Sequence, residues 1–150
     1  MYFTNSLLVA VTNWGNMNYT TNTTVYHSTD PGGIFQTTIG AGSHYLANGS
    51  TNRNAGTAVN LALLLELRKK TTYPPVELAT NFTANTILSP QAARDTSPWD
   101  LGFHYDPIDF TISSAVLSNA TLVLTNGVVL GTRPGTNPNP GFSTCAAAAN

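Results

Sequence analysis

Charge is what this chain has least of. Only 9% of its 150 residues are charged, against roughly 25% in soluble domains generally. The net charge is −1 with histidine neutral, and no basic stripe runs along the sequence, which excludes nucleic acid as a partner. Long apolar runs are also missing. None approaches the roughly 20 residues that span a bilayer as a helix, so no membrane-spanning helix is expected. The single cysteine, Cys145, has no second thiol to pair with internally. Its scarcity suits an exported bacterial protein as well as a cytosolic one. The Gly-x-Ser-x-Gly elbow of a serine hydrolase is absent. Ser6–Val11 does not read as a signal core, since it is short, no cation precedes it and no small-residue cleavage site follows, which says nothing against export. Both ends read as cuts through a longer, strand-rich protein.

The place of charge is taken by neutral polar residues. Thr and Asn together fill about a quarter of the sequence. Thr suits the half-buried face of a sheet, and Asn tolerates tight turns and left-handed backbone. Many short strands joined by tight corners are therefore expected. Leu7–Val11, Thr20–Thr24 with Val25–His27, and Ile34–Gln36 are such candidates, separated by Asn, Gly or Asp-Pro corners. Thr121–Thr125 alternates as a strand should. Asn126-Gly127 then reads as a hairpin turn or a corner, before Val128–Leu130. One helix is expected over 57–70, with Thr57 as N-cap, a face of Leu61, Leu64, Leu65 and Arg68, cations Arg68, Lys69 and Lys70 complementing the dipole, and Pro74-Pro75 as the stop. Arg133–Gly141 reads as a loop or linker.

Two segments carry a resemblance. Gly42-Ser43-His44-Tyr45-Leu46 is followed by Arg53-Asn54-Ala55-Gly56, and later comes Arg94-Asp95-Thr96-Ser97-Pro98-Trp99-Asp100-Leu101-Gly102-Phe103-His104-Tyr105-Asp106-Pro107. The pair resembles the module-closing segments of large bacterial surface proteins built from right-handed parallel β-helix repeats of the pectate-lyase-like superfamily. Asn54 stands where that pattern has an acid, and the helix lies where a loop is usual. The resemblance implies an all-β fragment of a right-handed parallel β-helix with one short capping helix. Residues 1–42 would be terminal solenoid coils, 43–109 a helix-containing cap or junction, 110–131 the strands of a next module, and 132–150 a linker or tail. The leucine helix would cover the solenoid's apolar end, Gly56 and Gly102 would permit backbone that a side chain forbids, and Asp95 and Asp100 would take backbone or Arg94 hydrogen bonds.

The functional reading that follows is a non-catalytic structural or adhesive segment, extracellular or on the cell surface, whose partners are copies of itself or neighbouring β-helix modules. Its charge-free stretches mark the contacts: Leu7, Val9 and Val11 in one, Leu122, Val123 and Leu124 in the other. Such β-prone, uncharged edges recruit further strands into stacked oligomers or filaments. No cofactor is expected. Asp100, Asp106 and Asp109 are the acids closest to a Ca2+ set, yet their spacing fits no calcium loop. The competing readings are a fragment of a carbohydrate-active β-helix enzyme, which would use a carboxylate pair, and a carbohydrate-binding module, in which Trp14, Trp99, Tyr2, Tyr19 and Tyr26 would stack on polysaccharide.

Overall fold

In the computed structural model the described residues are 2–13, 15–16, 20–21, 24–36, 44–88, 92–96, 98–132 and 142–144. Trp14, Tyr19, Gly42, Ser43, Ser97, Cys145 and the expected linker at 133–141 lie outside them. The protein divides into two compact units. The first takes residues 1–37, 43–73 and 94–106; the second takes 38–42, 74–93 and 107–150.

The first unit holds four strands, β1 (Tyr2–Phe3), β2 (Ser6–Val9), β3 (Thr20–Thr21) and β4 (Val25–Ser28), and the helix α1 (Leu61–Leu67). β1 pairs with β3 and β2 with β4, both parallel, with Tyr2 opposite Thr20 and Ser6 opposite Val25. Asn5, between β1 and β2, takes left-handed backbone at φ 50°, and its N–H donates to Thr24 Oγ1 at 3.1 Å. Among the described residues, the non-glycine positions with positive φ are Asn5, Ala10, Asn54 and Asn119. The asparagine content is thus spent partly on bends that other side chains resist.

The second unit holds β5 (Val76–Leu78), β6 (Phe110–Ile112), β7 (Ala115–Leu117), β8 (Leu130–Thr132) and β9 (Phe142–Thr144). β6 lies between β5 and β8, parallel to both, with Val76, Phe110 and Leu130 in register. β7 pairs in parallel with β9. Leu78, Phe110, Ile112 and Ala115 form the apolar core, with Val76, Phe82, Leu88, Val128 and Leu130 packed on it. Asp109 sets the register of this sheet. It is 0% exposed. Its carbonyl accepts from Val76 N–H at 3.0 Å, its N–H donates to Val129 O at 2.9 Å, and its carboxylate accepts from Val129 N–H at 2.8 Å. One residue thus ties the entries of all three strands.

This architecture corrects several expectations. The protein does not form the right-handed parallel β-helix: its strands run two to four residues, its sheets hold two or three strands, and among the described residues no long solenoid builds up. The physical reason lies between the strands. From Ser28 to Val76 the described residues form one helix and two isolated antiparallel bridging pairs, Phe35 with Leu46 and Thr71 with Tyr105. Asn, Asp, Ser and Thr side chains capture backbone groups there that a ladder would otherwise use. The helix is also shorter than 57–70. Asn60 caps it by accepting from Leu63 N–H at 2.9 Å, while Thr57 bonds instead to Asn5. It caps no core, since none of its residues is buried and Leu61 is 68% exposed. Lys69 and Lys70 lie beyond it, paired with Glu66 and Asp106. Thr121–Thr125 forms no strand, and the Asn126-Gly127 turn leads into β8, which pairs with β6 rather than folding back as a hairpin.

Among the described residues, one buried side-chain polar atom is left unpaired. Thr111 is in the core strand β6, and its hydroxyl finds no hydrogen-bond partner. A buried hydroxyl without a partner costs about 1–3 kcal/mol. Thr111→Val keeps the shape and removes that cost, so urea unfolding should show stability raised by about 1 kcal/mol; an unchanged or lower midpoint would contradict the assignment.

Candidate functional site

The densest chemistry in the protein is a buried ionic cluster in the first unit, made by residues from three separated stretches. The first stretch is a pair of successive turns: Ser50 N–H donates to Ala47 O at 3.0 Å and Arg53 N–H to Ser50 O at 3.1 Å, and Asn54 at φ 55° redirects the backbone. The second is Thr71–Tyr73, just after α1. The third is 94–106, held against the second by Thr71 N–H to Tyr105 O at 2.9 Å and Tyr105 N–H to Thr71 O at 2.8 Å.

Arg53 and Asp100 meet at the centre. The guanidinium Nη1 lies 2.9 Å from Asp100 Oδ2, and both side chains are almost wholly buried. Nη1 also donates to Thr72 Oγ1 at 3.0 Å, Nε to Ala47 O at 2.9 Å and Nη2 to Leu46 O at 2.6 Å. The guanidinium lies 3.7 Å over the Tyr73 ring, a favourable place for a cation. Asp100 accepts further from Asn54 N–H at 2.7 Å through Oδ1 and from the Thr72 hydroxyl through Oδ2.

Asp95 extends the cluster. Its Oδ2 accepts from Asp100 N–H at 3.1 Å and lies 2.5 Å from His104 Nε2. His104 Nδ1 lies 3.1 Å from the Gly102 carbonyl, so both ring nitrogens face acceptors. Gly102 itself is required: its φ is +100°, and a Cβ there would lie 2.9 Å from Leu7 Cβ. Gly56 permits a close approach to the Trp99 carbonyl, to which its N–H donates at 2.7 Å; a Cβ would lie 3.0 Å from that oxygen. Trp99 is buried and packs rather than presenting a face.

Described residues line an open cleft in each unit. In the second unit, one of about 450 Å³ is lined by residues 85–88 and 121–125 with Phe110, Val128 and Leu130. In the first, one of about 320 Å³ has Leu7, Val9, Phe35, His44 and Phe103 among its walls. Both fall within the roughly 300–1,000 Å³ of small-molecule sites. Neither is lined by a carboxylate or by a Lys or Arg. In the cluster, conversely, both His104 ring nitrogens, all three guanidinium nitrogens and both Asp100 oxygens already have partners within the protein.

The expected site residues distribute as follows. Asp95 and Asp100 take hydrogen bonds from backbone, hydroxyl, imidazole and guanidinium, the last from Arg53. Asp106 is exposed beside Lys70, and Asp109 belongs to the second unit. Among the described residues no group of three His, Cys, Asp or Glu side chains converges as a metal site. Leu7 and Val9 lie in β2, and the Val11 carbonyl is 2.9 Å from His27 Nε2. Leu122, Val123 and Leu124 line the larger cleft. Nothing local in the sequence marks Arg53 and Thr72 as bonding partners; the signal present is that Arg53 falls in one resembling segment and Asp100 in the other, and the salt bridge joins the two. No protein-family model, curated protein or solved structure shows significant similarity to this sequence.

Removing one partner of a buried ion pair strands the other, at a cost of about 3–5 kcal/mol. Asp100→Ala should lose that much in urea unfolding. Arg53→Lys should also destabilise, although it keeps the charge, because an ammonium cannot reproduce the planar fork that reaches Leu46, Ala47, Thr72 and Asp100 together. Wild-type stability in Arg53→Lys would show the cluster to be dispensable.

Tyr45 is buried beside Tyr105, with ring centroids 4.5 Å apart. Burial first, and the Tyr105 phenolate second, push its phenol above the ordinary value of 10.0. The folded state therefore holds this proton to higher pH than the unfolded state does. Its contribution is complete below pH 10.0 and is lost as pH rises through the folded value. Phenolate absorbance in Tyr45→Phe, compared with wild type, should lose a component that titrates above the ordinary phenol range.

Proposed function

We propose that this protein is a non-catalytic structural or adhesive segment of a secreted or cell-surface protein, and that it associates with copies of itself. The supporting observation is how its few charges are placed. Of seven acids, three are buried in structural bonding, while the cleft at 121–130 is uncharged and carries apolar side chains on its outside. Ile87 is 91% exposed and Val123 75%. Residues 78–93 and 110–132 contain no charged residue, so nothing electrostatic opposes the approach of a second copy. A surface with both protruding apolar side chains and an apolar cleft is suited to a self-complementary contact.

A second reading, carbohydrate binding, has one observation in its favour. Phe103 is 72% exposed at the smaller cleft, edge-on to Tyr105 with centroids 4.9 Å apart. An exposed ring of this kind can stack on a sugar. Loss of polysaccharide retention in Phe103→Ala would favour it.

The test is sedimentation velocity of the purified protein at tens of micromolar, roughly where exposed apolar edges associate. We expect oligomers, and a shift to monomer in Val123→Lys. A monodisperse wild-type monomer would overturn the self-association reading.

A further inference from the structure

We infer that Asn126 is a site of spontaneous deamidation, which converts the uncharged rim of the larger cleft into an anionic one. The reaction needs an asparagine followed by a residue that leaves the next backbone nitrogen unhindered, in a segment free to bend. Asn126-Gly127 meets each condition. Both residues are exposed. Gly127 has no heavy atom within 4 Å of the place a Cβ would occupy. The turn is closed by one long bond, Val128 N–H to Thr125 O at 3.3 Å. Neither the Asn126 amide nor the Gly127 N–H has a hydrogen-bond partner among the described residues.

The atoms balance with water as the only co-reactant. The Gly127 nitrogen attacks Asn126 Cγ, the bond between Cγ and the amide Nδ2 breaks, and ammonia leaves with the proton that the backbone nitrogen gives up. Water then opens the cyclic imide at either carbonyl, giving aspartate or isoaspartate. Nothing is oxidised or reduced.

A second Asn-Gly pair supplies an internal comparison. Asn48-Gly49 is also exposed and also sits in a turn, closed by Ser50 N–H to Ala47 O at 3.0 Å. That turn is pinned. Ala47 N–H donates to Ile34 O at 2.9 Å, and Arg53 bonds to the Ala47 and Leu46 carbonyls. The same dipeptide is thus held rigid in one place and left open in the other. Asn81 and Asn119 lack the glycine, and the Asn81 side chain accepts from Val116 N–H at 3.3 Å.

The product changes the surface. Thr125 and Val128, on either side of the pair, line the cleft, and a carboxylate at 126 would be the first charge in residues 110–132. Isoaspartate also adds a backbone atom to the turn that leads into β8. This consequence rests on the self-association reading; the chemistry does not.

The experiment is a time course of the full-length protein at mildly alkaline pH, followed by peptide mapping. Asn126 should convert first, several-fold faster than Asn48, with Asn81 and Asn119 slower still. Asn126→Gln should abolish the conversion at this position. Conversion of Asn48 before Asn126, or of Asn126 no faster than Asn119, would overturn the proposal. In sedimentation, Asn126→Asp should weaken association by about tenfold or more, with Asn126→Gln unchanged. If the wild-type protein is monomeric, the function proposed above fails while the mapping still decides the modification. If Asn126→Asp associates like wild type, the consequence assigned to the modification is wrong.

Discussion

Asp100 and Arg53 are 47 positions apart in sequence and 2.9 Å apart in space, and the first unit is organised around that contact. A guanidinium and a carboxylate removed from water must find partners for every donor and acceptor or the burial is untenable. Meeting that demand recruits Leu46, Ala47, Asn54 and Thr72. The Asp100 backbone then draws in Asp95, and Asp95 draws in His104. Three irregular stretches are thereby fixed where ladder hydrogen bonds are few. Such a pair adds little net stability compared with an apolar core, but it penalises every arrangement that leaves one member unpaired. In the first unit Ser50, Asn52, Thr71, Thr72, Asp95 and Asp100 are buried beside Ile34, Tyr45, Leu46, Trp99 and Leu101, so that selectivity adds to what apolar packing provides.

The second unit solves the same problem with one carboxylate. Asp109 is as buried as any residue described, but its neighbours are backbone groups at the starts of strands. The hydrophobic cluster around Phe110 and Ile112 supplies the attraction. Asp109 supplies the register, because a one-residue slip would break the bond from Val129 N–H to its carboxylate inside the protein. A low charge count therefore does not mean that charge is unimportant here. The few charges are placed where the loss of one would be costly.

Parts of this are legible in the sequence. Thr and Asn richness points to short strands and tight corners, and left-handed Asn5, Asn54 and Asn119 show the chemistry behind that reading. The resemblance implies Asp95 and Asp100 as hydrogen-bond acceptors, and each takes a backbone N–H, from Asp100 and Asn54 respectively. The long solenoid is not what forms. Strand-forming composition shows that segments favour extended backbone, but it does not say how far a ladder continues before side chains take over the bonding. The helix begins later than its sequence suggests because Thr57 and Asn60 are both suitable caps, and only the long-range bond from Thr57 to Asn5 decides between them. Arg53 carries no signal of its own, since nothing local separates a buried arginine from a solvated one.

The leucine helix caps nothing for a reason that bears on the rest of the molecule. Leu61, Leu63 and Leu65 are exposed, as are Ile87 and Val123, although polar residues are plentiful enough to cover the surface. Thr, Asn and Asp side chains take buried positions in the first unit, while none of the helix leucines does. Scattered exposed leucines are common in proteins, but a cleft lined by apolar residues with no charge on its rim is not neutral in its consequences. Under the self-association proposed above it is the surface that a second copy would meet, and its polar groups are neutral. Asparagine is polar without introducing charge, yet next to glycine in an open turn it is the side chain whose own chemistry generates one. The uncharged surface at 121–130 is therefore built from residues that can end its neutrality with no enzyme and no partner.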